Sequence, residues 1–543
     1  MFPHSAGALA LALVSICIGC GGRQEIDADA TDDSASRMSA ASDTGPPELP
    51  RTLVDTRAQP VTGRRLSVPA GADLQRVLND ARPGDAILLA PGAEFVGSFT
   101  LPMKEGDGWI TIRTDLPDAA LPRERTRMTP RLASRLARLV TPGDDPAIVT
   151  APGAHHFRIV AVEITAAPNV AHNAALVQFG GGGRDQRDRR DIPHHLIIDR
   201  TYIHGHATLN TRRCVALNSA YSAVVDSYLA DCHGHGFDSQ AICGWNGPGP
   251  FKIVNNYLEG SGENVMFGGG DPGIHGLVPS DIEIRNNYFY KPLAWKGRWT
   301  VKNLFELKNA QRVLVEGNVF ENNWVDAQSG FALVFKSENQ DGGAPWSVTR
   351  DLTFRGNKIS NVASGVDILG TAGNATEPAN RILIRDNVFE KLGAPELGGT
   401  GILWELVGNP SEITLEHNTG FAVKTALMLD DLQKTYVKVL NNIVTRGSYG
   451  IFGSGQGEGK RAADYYLRAL VIANNVIVGA PAQLYPDHNF FPASVADVGF
   501  VDLSKGDYRL TSKSPYKGRA TDGRDVGANS IVSERGFNDV TLR

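Results

Sequence analysis

A short phrase returns along this chain about every thirty residues, and it restricts the fold more than any other feature. It reads apolar-x-apolar-x-Asn followed by two largely apolar positions, as in Ile253-Val254-Asn255-Asn256-Tyr257-Leu258 and Ile284-Arg285-Asn286-Asn287-Tyr288-Phe289. The Asn slot is held by Asn256, Asn287, Asn318, Asn357, Asn387, Asn418, Asn442 and Asn475, and by Thr201 and Ser227 in two earlier copies. Successive spacings lie between 24 and 39 residues. A period of this size signals a solenoid, each repeat stacking on the last. The phrase alternates and favours β-branched and aromatic residues, so its unit is a strand. The expected fold class is therefore all-β, a parallel β-helix.

Coils of such a helix lie about 4.8 Å apart, so equivalent side chains stack. A buried Asn can then donate its amide to the next Asn and accept from the one before, a structural ladder. Asn also tolerates left-handed backbone at a corner. Cys214 and Cys243 each precede the repeat position by the same thirteen residues, which predicts that they stack in adjacent coils. They could bridge, or pack as two small apolar thiols.

With 543 residues, 42% of them hydrophobic, the chain can bury a long core. Its 59 glycines and 30 prolines suit many short strands and tight corners. A net charge of −5 offers no basic field for nucleic acid. Residues 7–19 form a short apolar run ending in Cys17-Ile18-Gly19-Cys20. Residues 1–20 resemble a bacterial signal peptide of lipoprotein type, which implies export and a lipid on Cys20. The expected location is the outer membrane, the periplasm or the cell exterior, with membrane contact only through that lipid. Residues 21–60 are poor in core formers and read as a disordered linker. Residues 65–530 read as one domain, expected to be monomeric.

Leu74, Val77, Leu78 and Ala81 mark one face of a helix that would cap the first coil. Residues 117–142 read as an insertion with a helix after Thr129-Pro130 that places Leu132, Leu136 and Leu139 on one side. The glycine-rich, then charged, loop 180–191 reads as exposed and mobile. The opening stretch, Val68-Pro69-Ala70-Gly71 through Phe99-Thr100-Leu101-Pro102, resembles the pectate-lyase-like right-handed parallel β-helix superfamily. Phe500-Val501-Asp502 through Asp525-Val526-Gly527 resembles that superfamily's closing strands. The stretch from Ala241 to Phe267 is similar to an unassigned bacterial group within it.

A filled coil has no central pocket, so chemistry must sit on an outer strand face or in loops. Lys296, Arg298 and Lys302 are interleaved with Trp295 and Trp299, a set suited to acidic sugar chains: cations pair with carboxylates and rings stack on sugar faces. The bland alternative is a charged loop anchored by its tryptophans. On the strand around Glu306, Phe305 and Leu307 should point inward, leaving Glu306 and Lys308 outside; Lys336 should stack nearby. β-Elimination at a uronate needs a cation, a base and an acid, and a lysine beside other cations can become a base. These residues resemble the chondroitinase B and alginate lyase family. That resemblance implies Lys308 as base, Lys336 in the acid's place, and Ca²⁺ on Glu306 and Asn264. The same residues also read as a ladder of opposite charges on an exposed face. A second cluster, His204, His206, His233, His235, Asp231 and Asp238, should lie on neighbouring corners and could bind metal or supply the carboxylate pair of a glycoside hydrolase. His155-His156 and His194-His195 read as edge residues. The leading expectation is an exported polysaccharide lyase acting on acidic polysaccharide, ahead of a non-catalytic glycan-binding protein or a glycoside hydrolase.

Overall fold

The computed structural model describes residues 45–529 except Arg184 and Ala375; Cys20 and the signal and lipoprotein segment lie outside the described residues. The chain winds as a right-handed parallel β-helix. Each coil contributes one strand to each of three sheets, in a fixed order. Phe251–Val254 belongs to the first sheet, Tyr257–Gly260 to the second and Glu263–Phe267 to the third. Among the described residues these sheets hold 15, 13 and 13 strands, parallel except for the last pair of the third sheet.

The Asn repeat lies at the corner between first and second sheets. The amide of Asn256 donates to Oδ1 of Asn287 at 3.0 Å, Asn287 to Asn318 at 3.0 Å, and Asn318 to Asn357 at 3.0 Å. The chain of bonds continues through Asn387, Asn418, Asn442 and Asn475 to Asn489. Each Oδ1 also accepts the backbone N–H of the preceding Asn, and each amide also donates to a strand carbonyl, so little polar capacity is left unused. The left-handed backbone belongs to the residue before each ladder Asn, not to the ladder Asn: Asn255, Asn286, Gly317 and Gly356 have φ of 59°, 56°, 68° and 61°. That residue makes the turn; the ladder side chain braces it.

Inside, Phe289, Phe305, Phe320, Phe335 and Phe354 fill the coil, with Phe289 and Phe320 stacked at 4.3 Å. Burying one such ring stabilises by about 1.5–3 kcal/mol. The helix Leu74–Asp80, N-capped by Asp73, places Leu74 and Leu78 in this core, with Val77 packed against it.

Several expectations change. Cys243 pairs in register with Ala216, two residues from Cys214, because the corner at 244–250 holds two more residues than its equivalent one coil earlier. Cys214 is instead disulfide-bonded to Cys232, Cα atoms 5.7 Å apart, and Cys243 is a buried thiol. The insertion helix is a 3₁₀ segment, Pro130–Arg135; Leu136 and Met128 cover the outer tyrosines Tyr202, Tyr228, Tyr257 and Tyr288 of the second sheet, while Leu139 lies in the strand Ala137–Thr141. Loop 180–191 is anchored, since buried Gln186 donates to the carbonyls of Asn218 and Asn246. Residues 45–60 are ordered rather than a loose linker. They cross the first sheet as a strap, with Val54 packed on Ile197, Ala223 and Val225. The strands Phe500–Asp502 and Asp507–Leu510 do not close the stack but form an antiparallel pair, and the tail after them folds back along the second sheet from Asn441 to Asp386. The helix Lys460–Tyr466 supplies core residues at the C-terminal end.

Asn318→Ala would leave the backbone N–H and the amide of Asn287 without their acceptor. Each buried orphan costs about 1–3 kcal/mol. The expected loss in chemical denaturation is about 2–5 kcal/mol, against a smaller loss for Asn489→Ala at the ladder's solvent-reached end. A loss below about 1 kcal/mol for Asn318→Ala would mean that the ladder does not hold the corner.

Candidate functional site

The third sheet carries the densest charge. Pleating sends alternate residues inward, and the inward neighbours here are Phe305 and Leu307, Val366 and Ile368, Trp404 and Leu406. The residues between them, Glu306, Asp367 and Glu405, therefore face out. Strand register aligns Met266, Glu306, Val334, Asp367, Glu405 and Met428 in one column. Long loops leave both ends of these strands at residues 291–302, 324–330, 268–279 and 340–348.

The structure brings together Glu306, Lys308 and Lys336, through Glu338. Lys336 Nζ lies 3.3 Å from Glu306 and 3.1 Å from Glu338; Lys308 Nζ lies 3.1 Å from Glu338 and 3.0 Å from Gln340 Oε1. Burial alone would lower the Lys308 ammonium, but Glu306 and Glu338 outweigh it and hold its pKa above the ordinary lysine value. Lys308 is thus kept protonated, contrary to a lysine lowered into a base by neighbouring cations. Glu338, despite burial, is held below the usual carboxylate range by Lys308 and Lys336.

On the same coil as Glu306, Lys302 reaches back to earlier coils: its Nζ stands 2.6 Å from Asp238 and 3.9 Å from Glu263. Gln240 donates to Glu263 at 2.7 Å, yet burial, with Glu306 and Asp238 nearby, pushes the Glu263 carboxyl up. Lys291 is pulled down by burial; its ammonium donates to the carbonyls of Gly260, Ser261 and Gly262 and pins that corner.

Asp367 and Glu405 are the residues that sequence reasoning missed. They are partners on adjacent strands and partly open to solvent. Outer-face apolar groups surround them: Phe331, Val334 and Ile402, with Leu369 and Met428. Burial first, then Glu405, pushes Asp367 up to about 8, against the pull of Lys336. Burial, then Asp430, pushes Glu405 up to about 7, against Lys424. Asp367 Oδ1 has no hydrogen-bond partner. A visible signal existed: Val366-Asp367-Ile368 and Trp404-Glu405-Leu406 repeat the apolar-acid-apolar frame of Phe305-Glu306-Leu307.

Other expected groupings come apart. Trp295 and Trp299 are buried in a cluster with Val301, Trp324, Ala363 and Leu397, so their faces are taken and they wall the corner rather than stack on sugar. Lys296 is occupied by the Glu396 carbonyl, Lys302 by Asp238, and Arg298 is exposed. Asn264 alternates with Glu263 along its strand and is buried, its amide donating to the Leu258 and Tyr290 carbonyls. Glu306 is outside and bound by Lys336, so these two do not make a Ca²⁺ site. His204 is held by Glu163 at 3.0 Å and Gly205 O at 2.7 Å. His233 is buried against Trp299 at 3.8 Å and held down to about 4 by that burial. His206 and His235 are exposed. Asp231 lies on a second-sheet strand and Asp238 on the approach to the third, paired with Lys302, so they do not form a carboxylate pair. The described His and carboxylate groups that converge well enough to hold a metal lie elsewhere, around His155, His156, His194 and His195.

A separate recess of about 1000 Å³ lies between the strap and the insertion. Its lining holds six cations, among them Arg127 and Arg158, and six acids, among them Asp199 and Glu283, so charges of both signs are matched in number there.

No known protein family and no curated protein matches the chain in sequence. Among solved structures it is similar to a PL6 family alginate lyase, AlyGC, at 11% identity and a TM-score of 0.44, over 86% of this chain and 58% of that one. The chain thus spans little more than half of that lyase. It is also similar to a PL6 alginate lyase in complex with a trisaccharide, at 10% identity and a TM-score of 0.47, over 89% of this chain and 98% of that one. A third is the catalytic unit of a GH87 α-1,3-glucanase from Streptomyces thermodiastaticus, at 10% identity and a TM-score of 0.42, over 82% and 72%.

The raised Asp367 carboxyl has a stability signature. Between its unfolded pKa of about 4 and its folded value, the folded state keeps a proton that the unfolded chain releases, so stability falls as pH rises. Asp367→Asn removes that loss. The melting-temperature advantage of the variant should grow from about pH 5 to about pH 9; a constant difference would mean that Asp367 titrates normally.

Proposed function

We propose that this protein is a carbohydrate-active enzyme that cleaves glycosidic bonds along the outer face of the third sheet. The observation carrying this reading is the Asp367–Glu405 pair: two half-buried residues on adjacent coils whose carboxyls burial pushes up towards neutrality, with Oδ1 of Asp367 buried and unpartnered. Asp367, the weaker acid, protonates the leaving oxygen. Glu405, ionised first, bonds to the sugar's anomeric carbon from the opposite side as the glycosidic bond breaks; water, giving its proton to Asp367, then displaces Glu405 and releases the sugar. Retention of anomeric configuration is the expected outcome.

Acids outnumber cations on this face: Asp238, Glu263, Glu306, Glu338, Asp367, Glu405 and Asp430 face Lys302, Lys308, Lys336 and Lys424. A neutral glycan suits it better than a polyanion. Elimination on an acidic polysaccharide is the second reading, with Lys336 as acid and with Lys308 as base only once it loses the proton that Glu306 and Glu338 hold on it. What favours it is the meeting of two ammonium groups on Glu338. Action outside the cytoplasm belongs to the same proposal, and the Cys214–Cys232 disulfide suits an oxidising compartment.

The test is release of reducing ends from neutral and acidic glycans, with ultraviolet absorbance followed for unsaturated uronate. Reducing ends without that absorbance are expected, reduced about 10²-fold or more in Asp367→Asn and Glu405→Gln. The rate should rise through about pH 7 as Glu405 ionises and fall above about pH 8 as Asp367 does. Uronate absorbance abolished by Lys308→Ala would establish elimination instead. Gel retardation by a glycan without any cleavage would make the protein a binder.

A further inference from the structure

The first sheet holds a group of side chains remote from that carboxyl column. His155 and His156 open the strand His155–Val160, and His194 and His195 open the next strand of the sheet, His194–Asp199. Register pairs His194 with His155. In an ordinary strand, consecutive side chains point to opposite faces. Here the second residue of each pair has left-handed backbone, φ 59° at His156 and 54° at His195, and both rings of each pair turn to the same side. Within a pair the Nδ1 atoms lie 2.8 Å apart for His155 and His156, and 2.7 Å for His194 and His195. Between coils the rings stack, His155 on His194 at 4.8 Å and His156 on His195 at 4.5 Å.

The result is a square of four imidazoles, two per coil, rather than isolated edge residues. Tyr221 from the following coil covers His195 at 4.7 Å, and Trp109 meets His156 edge-on at 5.2 Å. Asp107 adds a carboxylate from an earlier corner. The ligand atoms of His156, His194 and His195 all lie within 4.8 Å of one another, as do those of Asp107, His155 and His156. All four rings are half-buried, so the cluster is reachable from solvent yet ordered by its stacking.

We propose that His155, His156, His194 and His195, with Asp107 at the rim, form a binding site for a divalent transition metal of the zinc, copper or nickel type. Imidazole-rich sets select these ions over Ca²⁺ and Mg²⁺, which take oxygen ligands. Metal–imidazole bonds of about 2.0–2.1 Å in tetrahedral geometry need nitrogens about 3.4 Å apart. Each Nδ1 pair, now at 2.8 and 2.7 Å, therefore opens by about 0.6–0.7 Å on binding, and the ion takes the place of the proton that the two nitrogens share. The bound ion ties two coils and the 107 corner together near the start of the stack.

The experiment uses full-length, tag-free protein cleared of metal with a chelator and then titrated with Zn²⁺ by calorimetry and with Co²⁺ by visible absorption. One saturable equivalent with a ligand-field band is expected. Affinity should fall at least about 100-fold in His156→Asn/His195→Asn, since Asn tolerates the left-handed backbone there. The same fall is expected in His155→Gln/His194→Gln, each variant first shown to be folded by circular dichroism. Absence of saturable binding, or binding unchanged in both variants, would overturn the proposal. If neither variant folds, anomalous diffraction from zinc-loaded wild type decides: an ion among these imidazoles supports the site, and an ion elsewhere overturns it.

Discussion

Everything in this molecule depends on one amide handed from coil to coil. A parallel stack has no hairpins to set its register, and a slip of one residue would turn every core side chain outward. The ladder from Asn256 to Asn489 prevents the slip, because each Oδ1 accepts both the amide and the backbone N–H of the preceding Asn. A displaced coil would leave several donors buried without acceptors. The ladder also fixes where the left-handed corner falls, one residue before each Asn, and so where the next strand begins. Loops elsewhere can then vary in length without disturbing the stack, as the longer corner at 244–250 shows.

This is why the fold was legible and the site was not. From Asn256 to Asn475 the slot repeats with one residue type over eight successive coils, so a single sequence exposes it. Asp367 and Glu405 were equally written in the sequence, but an acid between two apolar residues reads as an ordinary exposed strand position. Their significance comes from what lies one coil away: Val334, Leu369 and Met428 around them, and each other alongside. Lys308 shows the opposite failure. Glu306 and Lys336 were placed near it, but Glu306 itself, joined by Glu338 through the same stacking, holds the ammonium up and reverses the inferred effect. Trp295 and Trp299 looked like sugar platforms because composition does not say which face of a ring is covered.

Charge on the third sheet is also graded. Near Glu263, Lys302 and Lys336 each carboxylate has a cation beside it, as desolvated charges require. Towards Glu405 the lysines thin out, and the carboxyls meet mainly apolar groups and other acids. An unpaired acid in such surroundings keeps its proton, a costly arrangement for stability alone and a useful one for proton transfer. The paired end accordingly reads as scaffold, and the unpaired end is the part on which the proposed chemistry rests.

The first sheet shows how one backbone position can serve several purposes. At the start of its strands a left-handed residue recurs: His156, His195, Tyr221, Asp281, Arg312, Asp351 and Arg381 all have φ near +50° to +60°. The column begins with stacked rings. Further along it becomes ion pairs, with Arg312 bonded to Asp281 at 2.7 Å and Arg381 to Asp351 at 2.6 Å. Asp281 and Asp351 also accept the backbone N–H groups of Arg51 and Glu48, so the same column fastens the strap. A non-glycine residue in this conformation is strained. Here neighbours above and below hold it, because each left-handed side chain finds a partner one coil away. Strain that a lone turn would shed is stable in a stack, and the side chains it turns outward become the sheet's means of binding, first to rings, then to its own N-terminal segment.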